Sequence, residues 1–90
     1  MEFKDFAWAI KQIKAGKKVT SRAWNGTGMF VFLVDGSTFK VNRAPLLGIY
    51  PADTEITYNG HIDMRTADGS IVPWTPSQLD MLWDEWEIVE

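Results

Sequence analysis

Apolar side chains recur every three or four positions near the start of the chain, at Phe3, Phe6, Ala7, Ile10 and Ile13, and the run stops at Gly16. That period lines them along one helix face, so residues 3–15 are predicted as an amphipathic helix with glycine as its natural stop. Trp8 falls roughly opposite the stripe. It is either a solitary surface aromatic or part of a subunit contact. Beyond Gly16 the period shortens to two. The segments "KKVTSRAW", "MFVFLV", "STFKVN", "TEITY", "HIDMRTA" and "SIVPW" read as short strands. Between them, Asn25-Gly26, Asp35-Gly36, Asn59-Gly60 and Asp68-Gly69 are two-residue signals for positive-φ hairpin turns. An antiparallel meander of five or six strands is expected. Residues 42–55, "NRAPLLGIYPADTE", hold two prolines and no clean period, and read as a loop with one helical turn.

The last stretch, "VPWTPSQLDMLWDEWEI", carries three of the five tryptophans. Thr75, Pro76 and Gln78 have the form of a helix start: an N-cap, a first-turn proline and a capping-box partner. Leu79, Leu82 and Trp83 then form one face of a helix of about two turns. Trp86 and Ile88 alternate as a closing strand. Trp83 and Trp86 are expected in the core. Trp74 stands apart, in a proline-bounded corner ahead of a helix N-terminus, where free N–H groups favour an anion. The fold class is α+β: an N-terminal amphipathic helix, the meander, a short C-terminal helix and a closing strand, in one domain over residues 1–90.

Two strands depart from simple alternation in informative ways. In "MFVFLV", Met29, Val31 and Leu33 point one way and Phe30, Phe32 and Val34 the other, so both faces are apolar. An antiparallel sheet commonly leaves one face wet. Either the short helix and long loop cover the second face, or a second subunit does; the second is preferred. In "HIDMR", His61, Asp63 and Arg65 share one face and Ile62 and Met64 the other. An imidazole, an acceptor and a cation in a row suit hydroxyls and phosphates, or simply solvate an edge strand.

Composition narrows the chemistry. A chain of 90 residues buries a small fraction of its surface and has no cysteine for staples, so dense aromatic packing or oligomerisation must support it. Its twelve aromatics fit either route. A net charge of −3 argues against DNA or RNA as a partner but leaves room for a small anion held by two or three local cations. The amphipathic N-terminus has no signal-peptide run and the chain no membrane span. Trp24, at a glycine-rich turn, either stacks on a planar base at about 1–3 kcal/mol or plugs the sheet end. Asn42 and Arg43 open the long loop, and Arg43 is the best phosphate fork, or is solvated. His61 is the only histidine, so a metal site would need acids such as Asp80 or Asp84 beside it. No nucleophile is visibly paired with a base. Neither catalysis nor a cofactor is expected.

Taken in order, "AWNGTGMF", "STFKVNRAPLLGIYP", "HIDMRTADGSIVPW" and "SQLDMLWDEWEIV" resemble the small phage proteins of the Thoeris anti-defence two family, over essentially the whole chain. The resemblance implies a sponge and not an enzyme. Such proteins form homo-oligomers, commonly tetramers, and sequester a cyclic ADP-ribose isomer made by a bacterial TIR-domain enzyme, in the cytoplasm of the infected host. Some hold cyclic dinucleotides. By the same resemblance Trp24, Asn25, Asn42, Arg43, His61 and Asp63 are ligand-binding candidates, followed by Trp74, Gln78 and Asp80. Trp83 stands where the family usually has a small residue and Asp35 where proline is frequent, which bears on the choice of ligand. Direct inhibition of a host protein is the alternative from another class.

Overall fold

The computed structural model describes residues 4–24 and 27–90. Helix α1 spans Phe6–Lys14 and is capped by Asp5, whose Oδ1 accepts the Trp8 N–H at 2.9 Å. Gly16, at φ 90°, turns the chain out of the helix, a conformation that costs glycine little. The helix is rotated from the expected stripe: Ala9 and Ile13 are fully buried, Phe6 and Ile10 partly, and Ala7 is exposed. Trp8 is not opposite the core but packs on its flank, with Lys4 Nζ 5.5 Å above the ring. Phe3 lies outside the described residues.

Seven strands follow: β1 (Lys18–Ser21), β2 (Phe30–Val34), β3 (Ser37–Lys40), β4 (Glu55–Tyr58), β5 (His61–Arg65), β6 (Ile71–Pro73) and β7 (Trp86–Val89). All strand pairs are antiparallel, and the architecture is α+β. They do not form one continuous meander. A five-stranded sheet runs β6-β5-β2-β1-β7, and β3 pairs only with β4 in a separate ribbon. β2 therefore takes β5 as its neighbour, with Val31 opposite Met64 and Phe32 opposite Asp63. Residues 35–60 leave the sheet as an arm and return. The arm stretches the molecule to 54 Å by 26 Å by 25 Å.

Two of the glycine signals consequently serve another purpose. Asp35-Gly36 and Asn59-Gly60 are not hairpin turns but the two chain crossings at the neck of the arm. A Cβ on Gly36 would lie 2.5 Å from the Tyr58 carbonyl oxygen and 2.9 Å from the Gly60 nitrogen. Only a residue without a side chain lets the backbones approach so closely. Asp68-Gly69 does turn the β5–β6 hairpin, with Gly69 at φ 92°. Asn25-Gly26, between the paired strands β1 and β2, lies outside the described residues.

The main core forms where α1 packs on one face of the sheet: Ala9, Ile13, Val19, Val31 and Trp86, ringed by Phe6, Trp24, Leu33, Ile62, Met64, Trp74, Trp83 and Ile88. Trp83 and Trp86 thus belong to the packing, as expected. The opposite face carries Lys18, Thr20, Phe30, Phe32, Val34, Asp63 and Arg65, as period-two alternation dictates. Phe30 and Phe32 are only half-buried there, their rings 5.8 Å apart, with Lys18 Nζ 5.1 Å over Phe30. The arm has a small core of its own. Val41 is buried, Phe39 and Ile56 face each other across the ribbon, and the 3-10 turn Leu46–Gly48 lies in the loop that joins β3 to β4.

Helix α2 spans Gln78–Leu82 and starts two residues later than the sequence suggests. Ser77, not Thr75, is the N-cap: its Oγ accepts the Asp80 N–H at 3.1 Å while Asp80 Oδ2 accepts the Ser77 N–H at 2.8 Å. Asp80, and not Gln78, completes this capping box. Leu79 and Leu82 do not face the core; they are 81% and 75% exposed. No described helix is long and apolar enough to cross a membrane.

Candidate functional site

The candidate residues fall into three places, each set by a different part of the fold. The first lies under the helices. Trp24 follows β1, Trp74 follows β6, and Asp80 sits in α2, yet their side chains converge. Trp24 and Trp74 meet edge to face at 6.2 Å between centroids, and each also meets the buried Trp86, at 5.3 and 6.2 Å. Phe6 of α1 completes the cluster. Trp24 Nε1 donates to Asp80 Oδ1 at 3.3 Å, so one carboxylate caps α2 and holds an indole. Trp24 and Trp74 stay half-buried, and Gln78 is exposed nearby in sequence at the start of α2. The N–H groups of Ser77 and Asp80 at this helix start are taken by the capping box, so the corner after Trp74 does not offer them to an anion.

The second place is the open sheet face beside the neck. His61 Nε2 lies 3.4 Å from Asp63 Oδ1, and Nδ1 is 3.2 Å from the Asn59 carbonyl oxygen. Arg65, two residues on, donates from Nη1 to the Gly28 carbonyl at 2.8 Å, which commits it to the loop before β2. Among the described residues no cluster of three histidine or acidic side chains is placed to hold a metal.

The third place is in the arm. Asn42 and Arg43 line a cavity of about 440 Å³ with Phe39, Lys40, Pro45 and Tyr58. Phe39 and Tyr58 pack edge to face at 5.3 Å, giving it an aromatic wall. A guanidinium, an amide and a phenol beside an aromatic wall can hold a planar ring carrying an anionic group, while strand alternation puts the Lys40 side chain on the other side of the ribbon from Phe39. Arg43 and Lys40 make no ion pair among the described residues. Lys40, Phe39 and Tyr58 escaped the sequence reading. Alternation within "STFK" and "TEITY" puts Phe39, Ile56 and Tyr58 on one side of a ribbon, but only the pairing of β3 with β4 makes that side a wall. Asn25 lies outside the described residues.

Comparison with known proteins agrees with the resemblance noted above. The Thoeris anti-defense 2-like domain matches residues 4–89. A protein named Thoeris anti-defense 2, from Bacillus phage SP01, is 34% identical over 84 residues, covering 93% of this chain and 92% of that protein. With a family domain matched along nearly its whole length and a phage relative at this identity, the chain belongs to the Thoeris anti-defense 2 family of phage anti-defence proteins.

Proposed function

We propose that this protein is a sponge: it binds a cyclic nucleotide immune signal, a cyclic ADP-ribose isomer, and withholds it without cleaving it. Family membership supplies the anti-defence role. The observation that most supports the ligand class is the arm cavity, lined by Arg43 and Asn42 together with the aromatic wall of Phe39 and Tyr58. A pyrophosphate needs a cation such as Arg43, and a base needs the ring faces. The half-buried indoles of Trp24 and Trp74 are the second stacking surface of this reading, and His61 and Asp63 its hydroxyl partners. The protein acts as a homo-oligomer, a tetramer on the family pattern, in the cytoplasm of the infected host.

A second reading, direct blocking of a host protein, is favoured by α2, which offers Leu79, Leu82 and Met81 to solvent. One experiment separates the two. The protein is mixed with a cyclic ADP-ribose isomer or a cyclic dinucleotide and removed by filtration, and both the filtrate and the heat-released fraction are analysed. A sponge depletes the filtrate and returns the nucleotide intact on heating. An enzyme returns a changed nucleotide. A protein blocker leaves the filtrate untouched.

A further inference from the structure

We infer that Asp80 is a positioning residue: its carboxylate fixes the orientation of the Trp24 indole on which the ligand stacks, and does not itself touch the ligand. The inference rests on the nucleotide-binding reading above. By resemblance Asp80 is a ligand-binding candidate, but its geometry gives it another task. Oδ1 accepts the Trp24 Nε1–H at 3.3 Å, and Oδ2 accepts the Ser77 N–H at 2.8 Å. Both oxygens of this half-buried carboxylate thus already face N–H donors of the protein. Like charges also disfavour a carboxylate beside the phosphates of a nucleotide.

Helix α2 serves as the mount for this group. Five residues are too few for a helix to stand on propensity alone. Leu79 and Leu82 face solvent, so apolar burial does little to hold it. Its start is secured instead by the reciprocal bonds of Ser77 and Asp80. The pair that starts the helix therefore also fixes where the carboxylate stands, 56 positions along the chain from the indole it holds.

Trp24 has need of such a holder. The torsion that turns an aromatic ring about its bond to Cβ is broad and roughly two-fold. Trp24 packs edge to face with Trp74 at 75° and with Trp86 at 88°. Such packing confines a ring without choosing between its two flips. A hydrogen bond at Nε1 does choose, because only one flip gives the N–H to Asp80. The choice sets on which side of the slot the six-membered ring lies. Among the described residues Trp24 is the one indole tied to a side chain: Trp83 donates to the nearby Glu85 carbonyl, and Trp86 Nε1 finds no partner. The stacking surface is thereby ordered before the ligand arrives, which removes an ordering cost from binding.

The test is a thermodynamic cycle on affinity in the full chain. Binding of a cyclic ADP-ribose isomer is measured by calorimetry for the native protein, Asp80→Ala, Ser77→Ala, Trp24→Phe and the double variant Asp80→Ala with Trp24→Phe. Asp80→Ala is expected to weaken binding about tenfold. Ser77→Ala loosens the helix start but leaves the indole bond in place, and should weaken it less than twofold. Trp24→Phe keeps a stacking ring and has no N–H, so in that background Asp80→Ala should cost nothing further, within twofold. An equal loss in both backgrounds would overturn the inference and make Asp80 a direct ligand contact. An Asp80→Ala affinity within twofold of native would overturn it too, as would a Ser77→Ala loss as large as that of Asp80→Ala. Should the alanine variant not fold, Asp80→Asn carries the same comparison. An amide has one accepting oxygen for two donors; the 2.8 Å local bond retains it and the indole loses its partner. A native chain that binds no cyclic ADP-ribose isomer would overturn the nucleotide reading together with this one, whereas the other outcomes leave that reading standing.

Discussion

The indole of Trp24 stands edge-on to that of Trp86, ring centroids 5.3 Å apart and planes at 88°, while its Nε1 donates to Asp80. This joins the end of β1, the closing strand and α2 at one point. Trp24→Ala is therefore expected to lower unfolding stability by about 2–3 kcal/mol, below the range for a fully buried indole because half of this one remains in water. Chemical denaturation measures it. Native-like stability in that variant would mean the turn holds without the indole and that Trp24 serves the ligand alone.

Trp86 and Trp74 differ in kind although they touch. Trp86 is wholly buried and its Nε1 finds no hydrogen-bond partner among the described residues, whereas Trp74 keeps part of its ring at the surface. Trp86→Phe is expected to cost about 1–2 kcal/mol, since lost volume outweighs relief of the unpaired N–H. Trp74→Phe should cost less stability and more affinity for a cyclic ADP-ribose isomer. Equal melting temperatures with unchanged binding would make both indoles purely structural.

At the neck, Gly36→Ala should cost about 1–3 kcal/mol, because the atoms a Cβ meets are backbone and cannot turn aside. Gly48→Ala, where an added Cβ would meet no described atom within 4 Å beyond its chain neighbours, should change stability by less than about 0.5 kcal/mol. Amide spectra check where the strain goes: shifts from Gly36→Ala should spread over residues 35–60 and leave α1 and β7 in place.

The β5–β6 turn carries its own acid sensitivity. The Thr66 hydroxyl first, and then the Ser70 N–H and hydroxyl, hold the Asp68 carboxyl down at about 2, below its ordinary 3.8. Because the folded value is the lower one, the carboxylate supports the turn fully above pH 3.8, and that support fades as pH falls toward 2. Amide shifts of Gly69 and Ser70 should titrate in that window. In Thr66→Val the midpoint should move up toward 3.8. A titration unmoved by Thr66→Val would remove the hydroxyl as the cause.

Arg43→Ala should weaken nucleotide binding by about tenfold or more and flatten its dependence on salt, since the lost partner of the phosphate is an exposed, screened cation. Calorimetry at low and high salt reads both effects. Unchanged affinity at both would exclude the arm cavity as the phosphate subsite.

Local periodicity was enough for the type of each element and the faces of its strands, though not for the rotation of α1 or the first residue of α2. The alternation of "HIDMR" puts Asp63 and Arg65 on one face and Ile62 and Met64 on the other because successive strand side chains point opposite ways. Residues 6–14 coil because their apolar period is helical, and Trp86 is buried because it shares a closing strand with Ile88. What depended on distant chain was not legible. The same Asn-Gly and Asp-Gly pairs serve a hairpin or a backbone crossing, and only the pairing of β2 with β5 turned two of them into the neck of an arm. Ser77 displaced Thr75 as the cap because Asp80, already holding Trp24, could reach back to it. Leu79 and Leu82 had a helical period that promised burial, but a five-residue helix tethered at its start presents them to solvent. The arm cavity likewise exists only because the ribbon folds its loop back over Phe39 and Tyr58, a closure between residues nearly twenty positions apart that no local spacing encodes.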